Sequence, residues 1–206
     1  MELTILAASG ATGLELTRQA LARGHTVTAV ARRPGRIELE DSARLRRVAA
    51  DVHDPASIAR AVRHAPVVLS GLGAKAGDPP GTLVAGARAV LDAGPGRVLW
   101  LGAFGTGPSA GAAGAFTRTL LRLALRQEIP DKVAADAAVL AAGGTVFHAG
   151  PLSTGPLSAG RRTVGLDDVP KRLFPARISR ATVAAAMLDE AESPRFAAST
   201  AVPLGS

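Results

Sequence analysis

The residues best suited to chemistry form one glycine-containing turn near the amino terminus. The first apolar run leads into AASGATG, from Ala7 to Gly13, and a helical pattern follows. Glycines at a strand-to-helix turn let the backbone bend tightly and let a pyrophosphate approach the amide groups that open the helix. We favour the register with Ala7 at the first glycine position, because a motif opening at Gly10 puts Leu16 where a third glycine belongs. The predicted phosphate contacts, with a turn shaped for packing alone as the alternative, are Ala7, Ser9, Gly10, Ala11, Thr12 and Gly13.

Arginines rather than a carboxylate follow the second predicted strand. A contact to the adenosine ribose is due about 20 residues beyond the loop, and there the sequence reads ARRPGR from Ala31 to Arg36. A carboxylate would accept a hydrogen bond from the 2′-hydroxyl of NAD, whereas a guanidinium pairs with the 2′-phosphate of NADP. One such bond contributes about 1.5–3 kcal/mol, a preference of roughly 10- to 100-fold. We predict NADP(H) as cofactor, with a solvated basic turn as the alternative, and phosphate contacts at Arg32, Arg33 and Arg36.

The elements that must position this turn alternate along the chain. Apolar runs rich in Val, Ile and Leu, separated by helical segments, are typical of a parallel sheet with crossover helices. We predict an α/β fold, a doubly wound parallel sheet of Rossmann type in a three-layer sandwich, whose ligands bind at the carboxyl ends of the strands. It forms a single domain, residues 1–206, with a small substrate-side region at about 150–206. The predicted strands are Glu2–Ala8, Thr26–Ala31, Leu45–Ala50, Pro66–Ser70, Arg97–Leu101 and Thr145–His148.

Helical segments connect these strands. Pro130 belongs at a helix start, because inside a helix proline removes a hydrogen bond and clashes with the preceding turn. Phe196–Pro203 is predicted as a closing edge strand. Arg118, Arg122 and Arg126 predict a solvated helix side, which would suit an acidic substrate if it bordered the cleft. The predicted helices are Gly13–Arg23, Asp54–Arg63, Thr82–Ala93, a bent pair at Phe116–Gln127 and Pro130–Ala142, and Ser179–Glu190.

Composition excludes several classes of chemistry. The chain has no Cys and no Tyr, which excludes disulfides, thiolate nucleophiles, Cys-ligated metals and a phenol as general acid. A formal charge of +7 with only 3% aromatic residues disfavours nucleic acid and favours an anionic small molecule as partner. Neither a cationic leader nor an apolar run of membrane length is present, so we expect a cytoplasmic protein without membrane association. No metal-ligand spacing relates His25, His53, His64 and His148, of which the first three lie at predicted element ends where we expect exposure.

Four further segments stand at the ends and starts of the predicted elements. They read ADV from Ala50, SGLGAK from Ser70, HAGPLSTGP from His148 and ISRATVA from Ile178. Together with the turn and Arg32 they resemble the atypical short-chain dehydrogenase/reductase family, near its biliverdin reductase B (flavin reductase) and NmrA-like branches, over almost the whole chain. The resemblance implies an NAD(P)-binding reductase with further cofactor contacts at Asp51, Val52, Leu72, Gly73, Lys75, Gly102, Ala103, Gly150, Pro151 and Leu152.

The chain departs from that family at the catalytic residues. Classical members carry Ser after the fifth strand and Tyr-x-x-x-Lys on the next helix, so that the phenol protonates a carbonyl oxygen. Here the fifth strand ends in LGAF, without a hydroxyl, and Glu128 stands in the place of the tyrosine, four residues before Lys132. The candidate catalytic residues are therefore Lys132, Glu128 and His148, the last as a proton donor, a usual role of histidine near neutral pH. The alternatives are a lysine in solvent and a packed, hydrogen-bonded histidine.

These observations predict an NADP(H)-dependent reductase that holds the nicotinamide over a flat conjugated acceptor such as a flavin, quinone, tetrapyrrole or enone. Catalysis comes mainly from proximity and orientation, with the proton taken from solvent or a weak acid. The alternatives are an NADP(H)-sensing regulator of NmrA type that turns nothing over, and a non-redox isomerase or cyclase on the same fold. The segment Gly102–Gly114 is the predicted substrate lid, because its glycines permit movement. We expect a monomer or homodimer.

Overall fold

The fold is built around one eight-stranded sheet. The computed structural model describes residues 1–75, 77–113, 128–170 and 175–205. In the order β3-β2-β1-β4-β5-β6-β10-β8, all neighbours are parallel except β8, which runs antiparallel to β10, and β7 and β9 pair separately. The strands are β1 Glu2–Leu6, β2 Thr26–Ala31, β3 Leu45–Ala49, β4 Val67–Ser70, β5 Arg97–Ala103, β6 Thr145–Ala149, β7 Leu152–Ser153, β8 Arg162–Gly165, β9 Ile178–Ser179 and β10 Thr200–Leu204.

Helices cover both faces of this sheet. Successive residues of a strand point to opposite faces, so Ile5 and Leu6 of β1 lie in different hydrophobic clusters. The cluster of Ile5 includes Leu16 and Met187, and the cluster of Leu6 includes Val139. This arrangement confirms the predicted doubly wound α/β fold with three layers. Within the described residues the helices are α1 Ala11–Ala22, α2 Pro55–Val62, α3 Thr82–Asp92, α4 Ile129–Ala141 and α5 Arg180–Glu192.

Helices α2 and α5 are capped by the side chains of Asp54 and Ser179, and the start of α3 is capped by a side chain from another helix. Helix α3 follows Gly81, which has no side chain to cap it. The carboxylate of Asp131, on the first turn of α4, accepts hydrogen bonds from the amides of Leu83 and Val84, each at 2.9 Å. A carboxylate at this position satisfies free amides and faces the positive end of the helix dipole. Asp131 therefore fixes the first turn of α4, including Lys132, against α3.

The carboxyl-terminal edge of the sheet differs from the prediction. Phe196–Pro203 was expected to close the sheet as an edge strand, but β10 lies between β6 and β8. The edge is β8, a four-residue strand that the sequence pattern does not reveal because it lacks an apolar run. The paired strands β7 and β9, of two residues each, were also missed. Short strands of this kind are defined by their partners rather than by their own pattern.

The remaining predicted elements match closely, with helix α1 beginning at Ala11 rather than Gly13. Pro130 lies in the first turn of α4, as predicted. The predicted helix Phe116–Gln127, with Arg118, Arg122 and Arg126, lies outside the described residues. In the part of the chain that the structure describes, no helix combines the length and apolar character needed to cross a membrane.

Candidate functional site

A cleft of about 780 Å³ opens at the carboxyl ends of the strands. The sheet order reverses between β1 and β4, and doubly wound sheets bind their ligands at this point. Four predicted cofactor contacts, Gly13, Arg33, Arg36 and Asp51, are not among the residues that line it. Those that do line it are Ala7, Ser9, Gly10, Ala11, Thr12, Arg32, Val52, Leu72, Gly73, Lys75, Gly102, Ala103, Gly150, Pro151 and Leu152.

The turn between β1 and α1 leaves the start of the helix open to this cleft. Ala7 is in the left-handed region with φ 58°, and its carbonyl oxygen accepts the Gly10 amide at 2.9 Å. Among the described residues no side chain caps α1 at Gly10, and the first turn contains no acidic residue. Uncapped amides and the positive end of the helix dipole are the features that bind a phosphate at a helix start. The turn fits a diphosphate group.

Gly13 lies directly beneath the turn. A Cβ atom on Gly13 would lie 2.2 Å from the carbonyl oxygen of Ala7, and one on Gly71 would lie 3.1 Å from the nitrogen of Gly13. The backbones at the ends of β1 and β4 therefore touch the first turn of α1 with no room for side chains. Close packing of helix on strand is the function of the third glycine in this class of turn, which favours the register with Ala7 first.

Ala7→Gly is expected to stabilise the protein. An L-residue with left-handed backbone costs about 1–2 kcal/mol, while glycine loses about 0.4–1 kcal/mol more backbone entropy on folding. The free energy of unfolding should rise by about 0.5–1 kcal/mol, measured by urea denaturation. Ala198→Gly is the matched control, because Ala198 has φ 52° and does not line the cleft. An unchanged midpoint for Ala7→Gly beside a raised midpoint for Ala198→Gly would contradict strain at the turn.

The arginine predicted to select NADP is already paired. Arg32 Nη1 lies 3.1 Å from Asp78 Oδ1, in the loop that follows β4. Asp78 lines the cleft and was not predicted as a site residue, because it is far from Arg32 along the chain and no motif includes it. Arg33 and Arg36 are exposed. Of the three predicted arginines, only Arg32 therefore lines the cleft, where the carboxylate of Asp78 pairs with it.

At the other end of the cleft, charged side chains follow one another along α4. Glu128, Lys132 and Asp136 line the cleft at intervals of one helical turn. The Nζ atom of Lys132 lies 3.9 Å from Glu128 Oε2, and the Lys132 side chain is only 18% exposed. Lys132 is thus a cleft residue rather than a lysine in solvent. Asp136 was missed, although its helical spacing from Lys132 was a signal in the sequence.

Asp136 connects the cleft to a buried hydrogen-bonded group. His148 is completely buried, with Nε2 at 3.0 Å from Asp136 Oδ2 and Nδ1 at 2.6 Å from Ser109 Oγ. Ser109 is also completely buried, and its Oγ accepts the Gly105 amide at 2.8 Å. A serine enclosed in this way is not available as a nucleophile. The position of His148 likewise does not support its predicted role as a direct proton donor, because both faces of β6 are covered and its imidazole does not line the cleft.

Comparison with known proteins places the chain in a family. A family model described as NAD(P)H-binding matches residues 7–194. This protein belongs to that NAD(P)H-binding family. The match covers the turn, the cleft and all five described helices. None of the curated proteins compared with the chain matches it.

Solved structures with the same fold as this NAD(P)H-binding protein include several reductases. A short-chain dehydrogenase/reductase from Veillonella parvula, in complex with NADP, is 19% identical with a TM-score of 0.82, covering 100% of this chain and 94% of its own. ChuY, an anaerobillin reductase from Escherichia coli O157:H7, is 17% identical with a TM-score of 0.76, covering 99% and 97%. The oxidoreductase ylbE from Lactococcus lactis is 16% identical with a TM-score of 0.79, covering 100% and 91%. At these identities the likeness shows the fold alone.

In this NAD(P)H-binding protein a second cavity of about 280 Å³ adjoins the cleft. Phe104, Gly150 and Pro175 line both cavities. Apolar side chains form much of its wall, and Arg162 and Arg177 also line it, with no acidic partner among the described residues. The cavity therefore combines an apolar wall with two cationic side chains.

Two other expectations are corrected by the structure. His25 is buried rather than exposed, and its Nε2 lies 2.7 Å from Glu192 Oε1, a contact that ties the turn between α1 and β2 to the end of α5. The described part of the predicted lid, up to residue 113, is anchored rather than free, since Thr106 and Ser109 are buried. Trp100 is a buried core residue. Within the described ranges no cluster of three or more His, Cys, Asp or Glu side chains forms a metal site.

Proposed function

We propose that this protein is an NADP(H)-dependent oxidoreductase that transfers a hydride to a conjugated small-molecule acceptor. The observation that carries the proposal is the cleft, in which an uncapped helix start, Arg32 and Lys132 line one continuous cavity. A dinucleotide needs anion-binding groups for its phosphates and an open end of the sheet for its ring. The Veillonella parvula neighbour, solved in complex with NADP, supports the choice of cofactor.

Each part of the cleft has a separate task in this proposal. The amides of Ala11 and Thr12 bind the diphosphate, and the guanidinium of Arg32 binds the 2′-phosphate. Gly102 and Gly150 border the opposite end, where small residues leave room for a ring to lie against backbone. A bound nicotinamide supplies the hydride. The protein contributes position and orientation, which lower the barrier by removing the entropy cost of bringing two reactants together.

Lys132 is the residue that stabilises the negative charge left on the acceptor by hydride transfer. The chain has no tyrosine, and β5 ends in Gly102 and Ala103, so no hydroxyl occupies the usual acid positions. The Lys132 ammonium lines the cleft and stabilises negative charge developing on the acceptor. Solvent in the open cleft then provides the proton. A conjugated acceptor can take its proton from solvent after the hydride transfer, because its reduced anion is delocalised.

The adjoining cavity is proposed to hold the acidic end of the acceptor, while its reacting part lies in the cleft with Lys132. Phe104 and Pro175 offer flat apolar surface, and Arg162 and Arg177 attract an acidic group. Flavins, quinones, tetrapyrroles and enones share the flat conjugated body this site suits. Acceptors that carry a carboxylate or phosphate are expected to bind more tightly than neutral ones.

An NADP(H) sensor of NmrA type is the second candidate function. The same absence of a tyrosine and of a hydroxyl after β5 favours it. Titration with NADPH, followed by NADPH oxidation in the presence of flavin, quinone, enone and tetrapyrrole acceptors, separates the two functions. Turnover establishes the reductase, and tight binding without turnover on any of these acceptors favours the sensor or an acceptor outside the panel. Failure to bind NADPH or NADH rejects both.

Arg32→Ala is expected to weaken NADPH binding by roughly 10- to 100-fold and to change NADH affinity less than about twofold, because the 2′-phosphate distinguishes the two cofactors. Trp100 is the one tryptophan of the chain and borders the cleft, so its fluorescence reports binding. Arg46→Ala is the control, since Arg46 is exposed on β3 and does not line the cleft. Equal NADPH affinity in the Arg32 and Arg46 variants would reject Arg32 as the phosphate contact.

A further inference from the structure

The carboxylate of Asp78 faces the guanidinium that the proposed function assigns to the 2′-phosphate. Arg32 Nη1 and Asp78 Oδ1 are 3.1 Å apart, and both residues line the cleft. The Arg32 side chain is 57% exposed, whereas the Asp78 side chain is 11% exposed. Arg32 is therefore free to change partner, and Asp78 is the more fixed member of the pair.

The loop itself holds Asp78 in place. Asp78 Oδ2 accepts the Lys75 amide at 2.9 Å, and the Asp78 amide donates to the Lys75 carbonyl at 3.0 Å. The Lys75 amide holds the pKa of the Asp78 carboxyl below its ordinary value, and Arg32 acts in the same direction, while burial opposes both. Asp78 is thus negatively charged at neutral pH, and its position does not depend on Arg32.

We propose that Asp78 is a cofactor-specificity residue that competes with the 2′-phosphate of NADP(H) for Arg32. The inference rests on the proposed binding of NADP(H) in this cleft. Binding of NADP(H) exchanges one anionic partner of Arg32 for another and brings a phosphate close to the Asp78 carboxylate. Binding of NAD(H) leaves the Arg32–Asp78 pair intact, because a 2′-hydroxyl carries no charge.

Asp78 therefore reduces the preference for NADP(H) that Arg32 creates. An exposed ion pair is weak, so the exchange is possible, but the lost pair and the repulsion between two anions both reduce NADP(H) affinity. The final selectivity is set by residues from two loops, the one after β2 and the one after β4. A basic residue after β2 therefore does not by itself predict how strongly NADP(H) is preferred to NAD(H).

Asp78→Asn tests this inference by direct binding. Asparagine keeps an oxygen for the Lys75 amide, so the loop is preserved while the charge is removed. NADPH affinity, followed by Trp100 fluorescence, should increase about three- to tenfold, and NADH affinity should change less than about twofold. In an Arg32→Ala background the gain should shrink, as expected for residues that act on each other. Asp41→Asn is the matched control, because it removes the same charge from an exposed pair with Arg47 outside the cleft.

The outcomes distinguish this inference from the proposed function. Tighter NADPH binding in Asp78→Asn with unchanged NADH binding supports competition. Unchanged or weaker NADPH binding in that variant, with a wild-type protein that binds NADPH, overturns the role of Asp78 and leaves the proposed function in place. An equal gain in Asp41→Asn also overturns it, since net charge would then explain the effect. A wild-type protein that binds neither cofactor rejects the proposed function itself.

Discussion

Gly13→Ala is expected to abolish NADPH binding. The added Cβ would lie 2.2 Å from the Ala7 carbonyl oxygen and 2.8 Å from Ala8 Cα. These are backbone atoms, so no change of rotamer relieves the clash, and the turn must move away from the helix. Because the proposed diphosphate contacts are amides of this turn, we expect NADPH affinity to fall more than about 100-fold. Overpacking of this kind also costs about 1–3 kcal/mol of folding free energy.

Isothermal titration with NADPH and urea denaturation measure the two effects separately. Gly35→Ala is the control, because a Cβ at Gly35 meets no atom within 4 Å and this glycine does not line the cleft. That variant should bind NADPH as wild type does. If Gly13→Ala loses stability but keeps NADPH affinity within about tenfold, the turn does not hold the diphosphate, and the tight packing is structural alone.

The amino-terminal half of the site follows from local sequence. Gly13 marks the turn because close backbone contact leaves no room for a side chain. Apolar runs mark most of the parallel strands because such strands are covered on both faces. Arg32 lines the cleft because it directly follows such a strand, and its contact with the cofactor stays a prediction. These features are encoded within a few residues of each other. They require no knowledge of the rest of the fold.

The partners of the charged residues do not follow from local sequence. Asp78 reaches Arg32 because β1 lies between β2 and β4, a neighbourhood that exists only in the folded sheet. His148 was predicted at the cleft because it lies near the end of a strand. Its side chain is instead buried and hydrogen-bonded to Asp136 and Ser109. The alternative given for His148, a packed and hydrogen-bonded histidine, matches this burial, because a histidine satisfied by two hydrogen bonds is stable inside a protein. The sequence is therefore least informative about which charged and polar side chains pair between different helices, strands and loops.

Asp136→Ala is expected to cause a large loss of stability. Asp136 and His148 have side chains 2% and 0% exposed, and each depends on the other for its hydrogen bond. Removal of the carboxylate leaves Nε2 of His148 without a partner in the interior, and a buried polar group left unsatisfied costs about 1–3 kcal/mol. Asp136→Asn keeps a hydrogen-bonding group within reach of Nε2 and should cost less, about 0.5–1.5 kcal/mol. Urea denaturation at neutral pH compares the two variants directly.

Turnover by a variant that disturbs the Asp136–His148–Ser109 group less then shows whether this group is structural or catalytic. Ser109→Ala removes one hydrogen bond from His148 and leaves the Asp136–His148 pair in place, at a stability cost of about 1–2 kcal/mol. Ser109 and His148 do not line the cleft, so NADPH affinity and the pH profile of turnover should match those of the wild type. A displaced pH profile in Ser109→Ala, at unchanged NADPH affinity, would instead show that the buried group moves a proton during the reaction. Equal stability of Asp136→Ala and Asp136→Asn would contradict the buried pair itself, because only the alanine leaves Nε2 of His148 without a partner.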